Sequence, residues 1–280
     1  MRHVLTAKQI RDFEKYLILE ERSDGTIRKY MRDIHFFCSF LPAAKEFHKE
    51  TVINYKEFLR KTFAVSTANS MLAAINRLFT FLEWHDCRVK PFKQQRQIFR
   101  DKDKELSKAE YLRLLDAARA SGNRRLFCLM QTLCGTGIRI YELCFITAEA
   151  VKSGEAMVTC KGKSRTVLLT KKLRHALMEY CRNCGISSGP VFITKTGKPM
   201  NRSNIWAEMK RLCADAHVDP GKVFPHNFRH LFAVSFYHLE KDIAKLADLL
   251  GHASIETTRI YIMESGADHL RQIERLGLVL

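Results

Sequence analysis

The chain has 280 residues, 46% of them apolar, which is enough for a buried core and, at roughly 100–200 residues per domain, for two domains. Lys and Arg number 47 against 30 Asp and Glu, a formal net charge of +17, so the expected partner is a polyanion, nucleic acid before an acidic membrane surface. No run reaches the roughly 18 apolar residues of a membrane span, and the first residues lack the apolar stretch of a secretory leader. Nine cysteines without framework spacing read as reduced thiols, so a cytoplasmic protein is expected, with secreted and membrane classes excluded.

The first hundred residues are helical by pattern. Thr6-x-x-Gln9 is a capping box opening a helix with Ile10, Phe13 and Leu17 on one face. After a turn at Ser23-Asp24-Gly25, Ile27, Tyr30, Met31, Ile34, Phe37, Cys38 and Leu41 keep a 3–4 spacing. A shorter apolar set follows at Val52, Ile53 and Phe58. Ala68, Met71, Leu72, Ile75, Leu78, Phe79 and Leu82 then form one more stripe. Four amphipathic helices on short connections predict a helical bundle over residues 1–90.

Residues 91–105 lose the periodicity and carry Lys93, Arg96, Arg100, Lys102 and Lys104, which predicts a basic linker. A second domain, 106–280, opens with another capping box, Ser107 with Glu110, flanked by Leu106 and Tyr111 as a hydrophobic staple. Ala156–Cys160 and Thr166–Leu169 are β-prone runs around Lys161-Gly162-Lys163-Ser164-Arg165, a hairpin signal. Val191–Ile193 is a candidate third strand, and the remainder is helical.

Three strings carry groups suited to chemistry. In Gly135-Thr136-Gly137-Ile138-Arg139-Ile140-Tyr141-Glu142, the glycines allow a tight turn, and Arg139 is placed in the first turn of a new helix, where an anion is favoured. Glu142, three residues on, is placed to hold that guanidinium. Pro225-His226-Asn227-Phe228-Arg229-His230 starts a helix with Pro at its first position and His226 and Arg229 on one face. His226 and His230 also have the i, i+4 spacing of a metal pair, but no third ligand follows and no metal is expected. Cys181-x-x-Cys184 lacks a second pair. In Leu250-Gly251-His252, Gly251 ends a helix, Ser254 caps the next, and Tyr261 lies within it. Taken singly, these residues also fit a surface arginine, a turn histidine and a core tyrosine.

In this order the strings resemble the tyrosine recombinase (integrase) family: Thr-Gly-Ile-Arg-x-x-Glu-Leu, a Lys at a β-turn, His-x-x-Arg, Leu-Gly-His, then Tyr. The resemblance implies a mainly α protein with a small antiparallel β-sheet. It would be built as an N-terminal SAM-like bundle that binds core DNA and a C-terminal catalytic domain. By resemblance, Tyr261 is the nucleophile that forms a 3′-phosphotyrosyl link to DNA, and Arg139 and Arg229 bind the non-bridging oxygens. Lys161 is the general acid, His226 and His252 assist by proton transfer and hydrogen bonding, and Glu142 supports the arginines. Lys163, two residues from Lys161, leaves the choice between these lysines open. Tyr141, Phe228 and Leu231 depart from the residues usual in the family, at positions that bear on packing.

The chemistry is consistent with this set. A phenol of pKa about 10 is a poor nucleophile at neutral pH, and two guanidiniums stabilise the charge spreading over a phosphate in the transition state. A covalent intermediate conserves the phosphodiester energy, so no nucleotide, metal or other cofactor is expected. Arg28, Lys29, Arg32, Asn69, Asn76 and Arg77 lie off the apolar stripes; with Lys163, Arg165, Lys198 and Arg202 they are expected as a group to meet double-stranded DNA in a clamp. The apolar tail with Ile273, Leu276, Leu278, Val279 and Leu280 resembles the family segment that docks on a neighbouring subunit, so a homotetramer on paired sites is expected. Rival readings are a helical DNA-binding or architectural protein of the same fold, a topoisomerase IB-like relaxing enzyme and, weakest, a metal-dependent nuclease.

Overall fold

The structure, a computed structural model, describes residues 2–93, 102–160, 162–194, 196–252, 254–262 and 274–276. It divides into two units, Met1–Arg96 and Gln97–Leu280.

In the first unit the expected stripes become helices α1 (Ala7–Leu19), α2 (Asp24–Phe40), α3 (Lys49–Thr62) and α4 (Val65–Phe81). The Thr6 box is closed from both sides: Gln9 N–H donates to Thr6 Oγ1 at 3.3 Å, and Thr6 N–H to Gln9 Oε1 at 2.9 Å. Phe13, Ile34, Phe37, Tyr55 and Phe79 are fully buried. Phe37 meets Tyr55 and Phe79 edge-on, with centroids 4.9 and 5.9 Å away, the offset that ring quadrupoles favour. The inward face of α3 is Val52, Tyr55 and Leu59; Ile53 and Phe58, placed on it by the sequence, are exposed. One element had no sequence signal, a two-residue antiparallel ladder of β1 (His3–Val4) with β2 (Glu46–Phe47).

Two expected DNA contacts have a different role here. The Asn76 carboxamide donates to Val89 O at 2.8 Å and accepts from Val89 N–H at 3.0 Å. Asn69 does the same with Phe92, at 3.0 and 2.7 Å. Both amides imitate a strand partner and fasten residues 89–92 along α4, because those backbone groups would otherwise lack partners in a half-buried position. The groove contacts expected of Asn69 and Asn76 are replaced by this fastening. Arg77, 32% exposed, donates to Glu20 Oε2 at 2.8 Å with its guanidinium over the Tyr16 ring.

The second unit opens with α5 (Lys108–Ala120), capped by Ser107 and Glu110 as the sequence predicts. It continues through α6 (Arg124–Thr136), a 3-10 turn (Ile140–Phe145) and α7 (Ala148–Ser153). Strands β3 (Glu155–Cys160) and β4 (Lys163–Leu168) form the hairpin in register from Glu155↔Leu168 to Cys160↔Lys163. Then come α8 (Lys171–Cys184), α9 (Arg202–Arg211), α10 (Pro225–Glu240), α11 (Ile243–Leu250) and α12 (Ile255–Ile262). The candidate third strand, Val191–Ile193, is coil, buried at Val191 and Phe192 and touching Pro199 through a single bridge at the half-buried Ile193. Helix α6 buries Leu126, Leu129, Met130 and Leu133 and packs against α10, so the end of α6 comes beside the first turns of α10. Among the described residues no helix is long and apolar enough to cross a membrane.

Candidate active site

Helix α6 ends at Gly137, whose φ of 62° is left-handed backbone. A Cβ there would lie 2.5 Å from a Phe232 ring carbon, so both conformation and space require glycine. The carbonyl of Gly137 accepts from Arg229 Nη1. Arg229 Nη2 donates to Leu250 O at 2.7 Å, the last carbonyl of α11, and to His252 Nε2 at 2.9 Å. Tyr261 lies close enough to Arg229 for a favourable electrostatic interaction. One buried guanidinium thus ties the end of α6 and the turn after α11 to α10, and burial, reinforced by Arg139, lowers its pKa to about 10.

The Arg229 contact fixes the state of His252. A guanidinium only donates, so Nε2 presents its lone pair and Nδ1 carries the proton. Nδ1 therefore donates to Thr258 Oγ1, 2.7 Å away. Burial, with Arg229, Arg139 and Arg165 nearby, lowers the His252 pKa to about 4, in keeping with a neutral ring. His226 is shifted down for the same reasons, burial first and Arg229 second.

Tyr261 stands among these groups. Its ring lies 5.8 Å from that of His252 with an interplanar angle of 12°, 5.9 Å from His226 and 5.2 Å from His230. Its other side packs with Ala233, Leu246 and Leu250. The phenol is buried against an apolar wall, yet its oxygen faces a cation.

Arg139 precedes the 3-10 turn Ile140–Phe145 and caps it; the α-helix expected after Gly137 is this shorter, tighter element. Its Nη1 donates to Glu142 Oε1 at 3.0 Å, its backbone N–H to Glu142 Oε2 at 2.8 Å, and its Nη2 to Gly251 O at 3.3 Å. Arg165, expected on a DNA-facing surface, instead grips the same carboxylate at 3.1 and 2.9 Å. This corrects its assignment: the side chain is turned inward because Glu142 is fully buried and needs neutralising. Three guanidiniums, two of them bound to Glu142, stand in the pocket with two histidines biased toward neutrality, so it favours an anion.

The profile of the phage integrase family matches residues 104–267, the greater part of the chain, and that of the phage integrase N-terminal SAM-like domain matches residues 10–86. The chain belongs to the phage integrase family. A tyrosine recombinase XerA of Thermococcus kodakarensis is 28% identical over 276 residues, covering 95% of this chain and 93% of that protein. A tyrosine recombinase XerD of Xanthomonas axonopodis pv. citri is 33% identical over 160 residues, 52% of each chain. A crystal structure of a lambda integrase dimer bound to a COC′ core site shares the fold, with a TM-score of 0.75 at 17% identity over 93% of this chain and 96% of that one. The XerA recombinase crystal structure gives 0.53 at 24% identity, over 99% and 100%.

Of the family residues expected from sequence, Arg139, Glu142, His226, Arg229, His252 and Tyr261 meet in one pocket. Lys161 lies outside the described residues; Lys163 is placed on β4 by its backbone alone. Thr258 and His230 were not singled out for a role beside Tyr261. Thr258 had a signal, since it lies one turn before Tyr261 on α12. His230 Nε2 lies 3.0 Å from Glu105 Oε1 as well as beside the tyrosine.

The remaining expected DNA contacts are dispersed. Arg28 and Arg32 are exposed on α2, and Lys29 and Arg32 both reach the buried Asp33, at 2.6 and 3.0 Å. They border an open pocket of about 580 Å³ that also takes in Ser66 and Thr67 at the start of α4. Lys198 and Arg202 are exposed in the second unit, and Arg202 contributes to the lowered pKa of His226. Of the apolar tail, Leu276 is exposed, and Ile273, Leu278, Val279 and Leu280 lie outside the described residues. The one group of potential metal donors among the described residues is in the first unit, where His3 Nε2 lies 3.0 Å from Asp86 beside the buried Cys87. Burial raises that thiol to about 11, and the contact of His3 with Asp86 joins the two ends of the bundle.

Proposed function

We propose that the chain is a site-specific DNA recombinase acting in the cytoplasm, which cuts and rejoins double-stranded DNA through a 3′-phosphotyrosyl intermediate without metal or nucleotide. The observation that carries this reading is the placement of the buried Tyr261 ring among His226, His230 and His252, beside the buried guanidinium that holds a neutral His252. A phenol of ordinary pKa about 10 needs a base beside it to act as a nucleophile at neutral pH. His226, biased toward neutrality and beside the ring, takes the Tyr261 proton. The phenolate oxygen forms a bond to the scissile phosphorus while the bond to O5′ breaks, and the leaving oxygen takes its proton from Lys161. Arg139 and Arg229 bear the charge that builds on the non-bridging oxygens. The reverse attack by a 5′-hydroxyl of the partner strand rejoins the DNA. The carboxylate that Arg139 and Arg165 share, Glu142, already accepts four N–H bonds and offers little to a divalent ion.

Binding draws on the net charge of +17, with Arg28, Lys29, Arg32, Lys198 and Arg202 as phosphate contacts and four copies assembling on paired sites. The test is a nicked suicide duplex incubated with the chain in EDTA and resolved on a denaturing gel. We expect a covalent protein–DNA adduct that Tyr261→Phe abolishes while binding persists. Loss of the adduct in EDTA, or its survival in the Phe variant, overturns the mechanism.

A further inference from the structure

We infer that Arg165 is a positioning residue for strand cleavage, one that sets the catalytic guanidinium of Arg139 rather than touching DNA. This rests on the recombinase reading and deepens it. Residue 165 lies on β4 opposite Val158, on the side of the hairpin that turns Val167 into the core, and its side chain is 13% exposed. Nη1 and Nη2 reach the two oxygens of Glu142 separately, at 3.1 and 2.9 Å. Each oxygen also accepts one bond from Arg139, Oε1 from Nη1 and Oε2 from the backbone N–H. The carboxylate therefore carries four donors, about its full capacity. Removing the Arg165 pair leaves two acceptor positions of a buried anion empty, and the carboxylate then rotates toward other donors and takes Arg139 with it.

A second contact leads to the same arginine. The aliphatic stem of Arg165 crosses Gly251 so closely that a Cβ there would lie 2.4 Å from Arg165 Cδ. Gly251 lends its carbonyl to Arg139 Nη2, and its neighbour His252 receives Arg229. Both supports of the Arg139 guanidinium, the Glu142 carboxylate and the Gly251 turn, are thus braced by one side chain from the hairpin. Lys at this position would keep the charge but lose the two-pronged geometry.

Single-turnover cleavage of the suicide duplex tests this with Arg165→Gln and Arg165→Lys. We expect cleavage at saturating DNA to fall about 100-fold in the first and about 10-fold in the second. The salt dependence of DNA affinity should stay at the wild-type slope, whereas loss of a direct phosphate contact lowers it by about 0.9. Two readouts report action through Arg139. The Gln variant combined with Arg139→Ala should cleave no more slowly than Arg139→Ala alone. Replacing the scissile phosphate by an uncharged methylphosphonate should shrink both single defects together, which loss of fold stability would not do. If Arg165→Gln does not fold, the Lys variant carries every comparison. Additive defects, a lowered salt slope or a wild-type rate in the variant overturns the inference alone. A wild-type chain that forms no adduct overturns the recombinase reading, and this inference with it.

Discussion

On α2, Arg32 keeps 74% of its side chain in water and leans on Asp33, its neighbour in sequence. On α10, Arg229 is 2% exposed and its three hydrogen-bond partners, Gly137, Leu250 and His252, lie 21 to 92 residues away. The same guanidinium is used in two ways. An exposed cation gives salt-screened attraction that many like it share. A buried one is held in a single orientation and gives up little reorganisation when charge develops beside it. The first unit therefore tolerates losing one cation, and the pocket of the second does not.

Exchanging the two sites should separate affinity from rate. Arg229→Lys is expected to lower adduct formation at saturating DNA about 10³-fold, since an ammonium cannot reach Gly137, Leu250 and His252 together. Arg32→Ala is expected to leave that rate within twofold and to lower the salt slope of binding by about 0.9. Fluorescence anisotropy across a salt series, paired with single-turnover cleavage, checks both. Equal effects on rate would erase the distinction between the units.

A pH titration sharpens the contrast, because the second unit holds neutral histidines among fixed cations. The folded pKa of His252, about 4, lies below its ordinary 6.5, with Arg229, Arg139, Arg165 and His226 all opposing protonation. Its contribution is fully present above pH 6.5. Between pH 6.5 and 4 the unfolded chain takes up a proton that the folded chain refuses, so stability falls as pH falls through that window. The loss is on the order of 1–3 kcal/mol by pH 4. Urea midpoints measured from pH 7.5 to 4.5 should show it, and His252→Gln should flatten the dependence. An unchanged slope in that variant assigns the effect elsewhere.

Much of this pocket was legible in the sequence because its residues sit at helix ends, where punctuation is strong. Gly137, Pro225 and Gly251 mark the turns that deliver Arg139, Arg229 and His252, and the boxes at Thr6 and Ser107 fix two helix starts. The misreadings share a cause. Arg165, Asn69 and Asn76 were read as surface because they lie outside the apolar periodicity, yet each has a distant backbone or carboxylate to satisfy, 13 to 23 residues away. Polar side chains that serve buried polar groups look like solvent-facing ones in any pattern based on hydropathy. Val191–Ile193 erred the other way: buried at Val191 and Phe192 and β-prone, it lacks a partner strand among the described residues.

The smallest expected effect bears on whether α4 belongs to the fold or to the DNA face. Asn76→Ala removes one donor and one acceptor from Val89 and should cost about 1–2 kcal/mol of unfolding free energy, since a half-buried backbone pair is left without its partner. Its salt slope of DNA binding should match that of the wild type, because a neutral amide displaces no counterion and its groups are already engaged. Lys29→Ala should show the opposite pattern, a lower slope and a change in stability within about 0.5 kcal/mol, as its partner Asp33 keeps Arg32. If Asn76→Ala instead weakens binding to one DNA sequence while the melting temperature stays put, the amide reads bases, and α4 faces the groove with more than its cations.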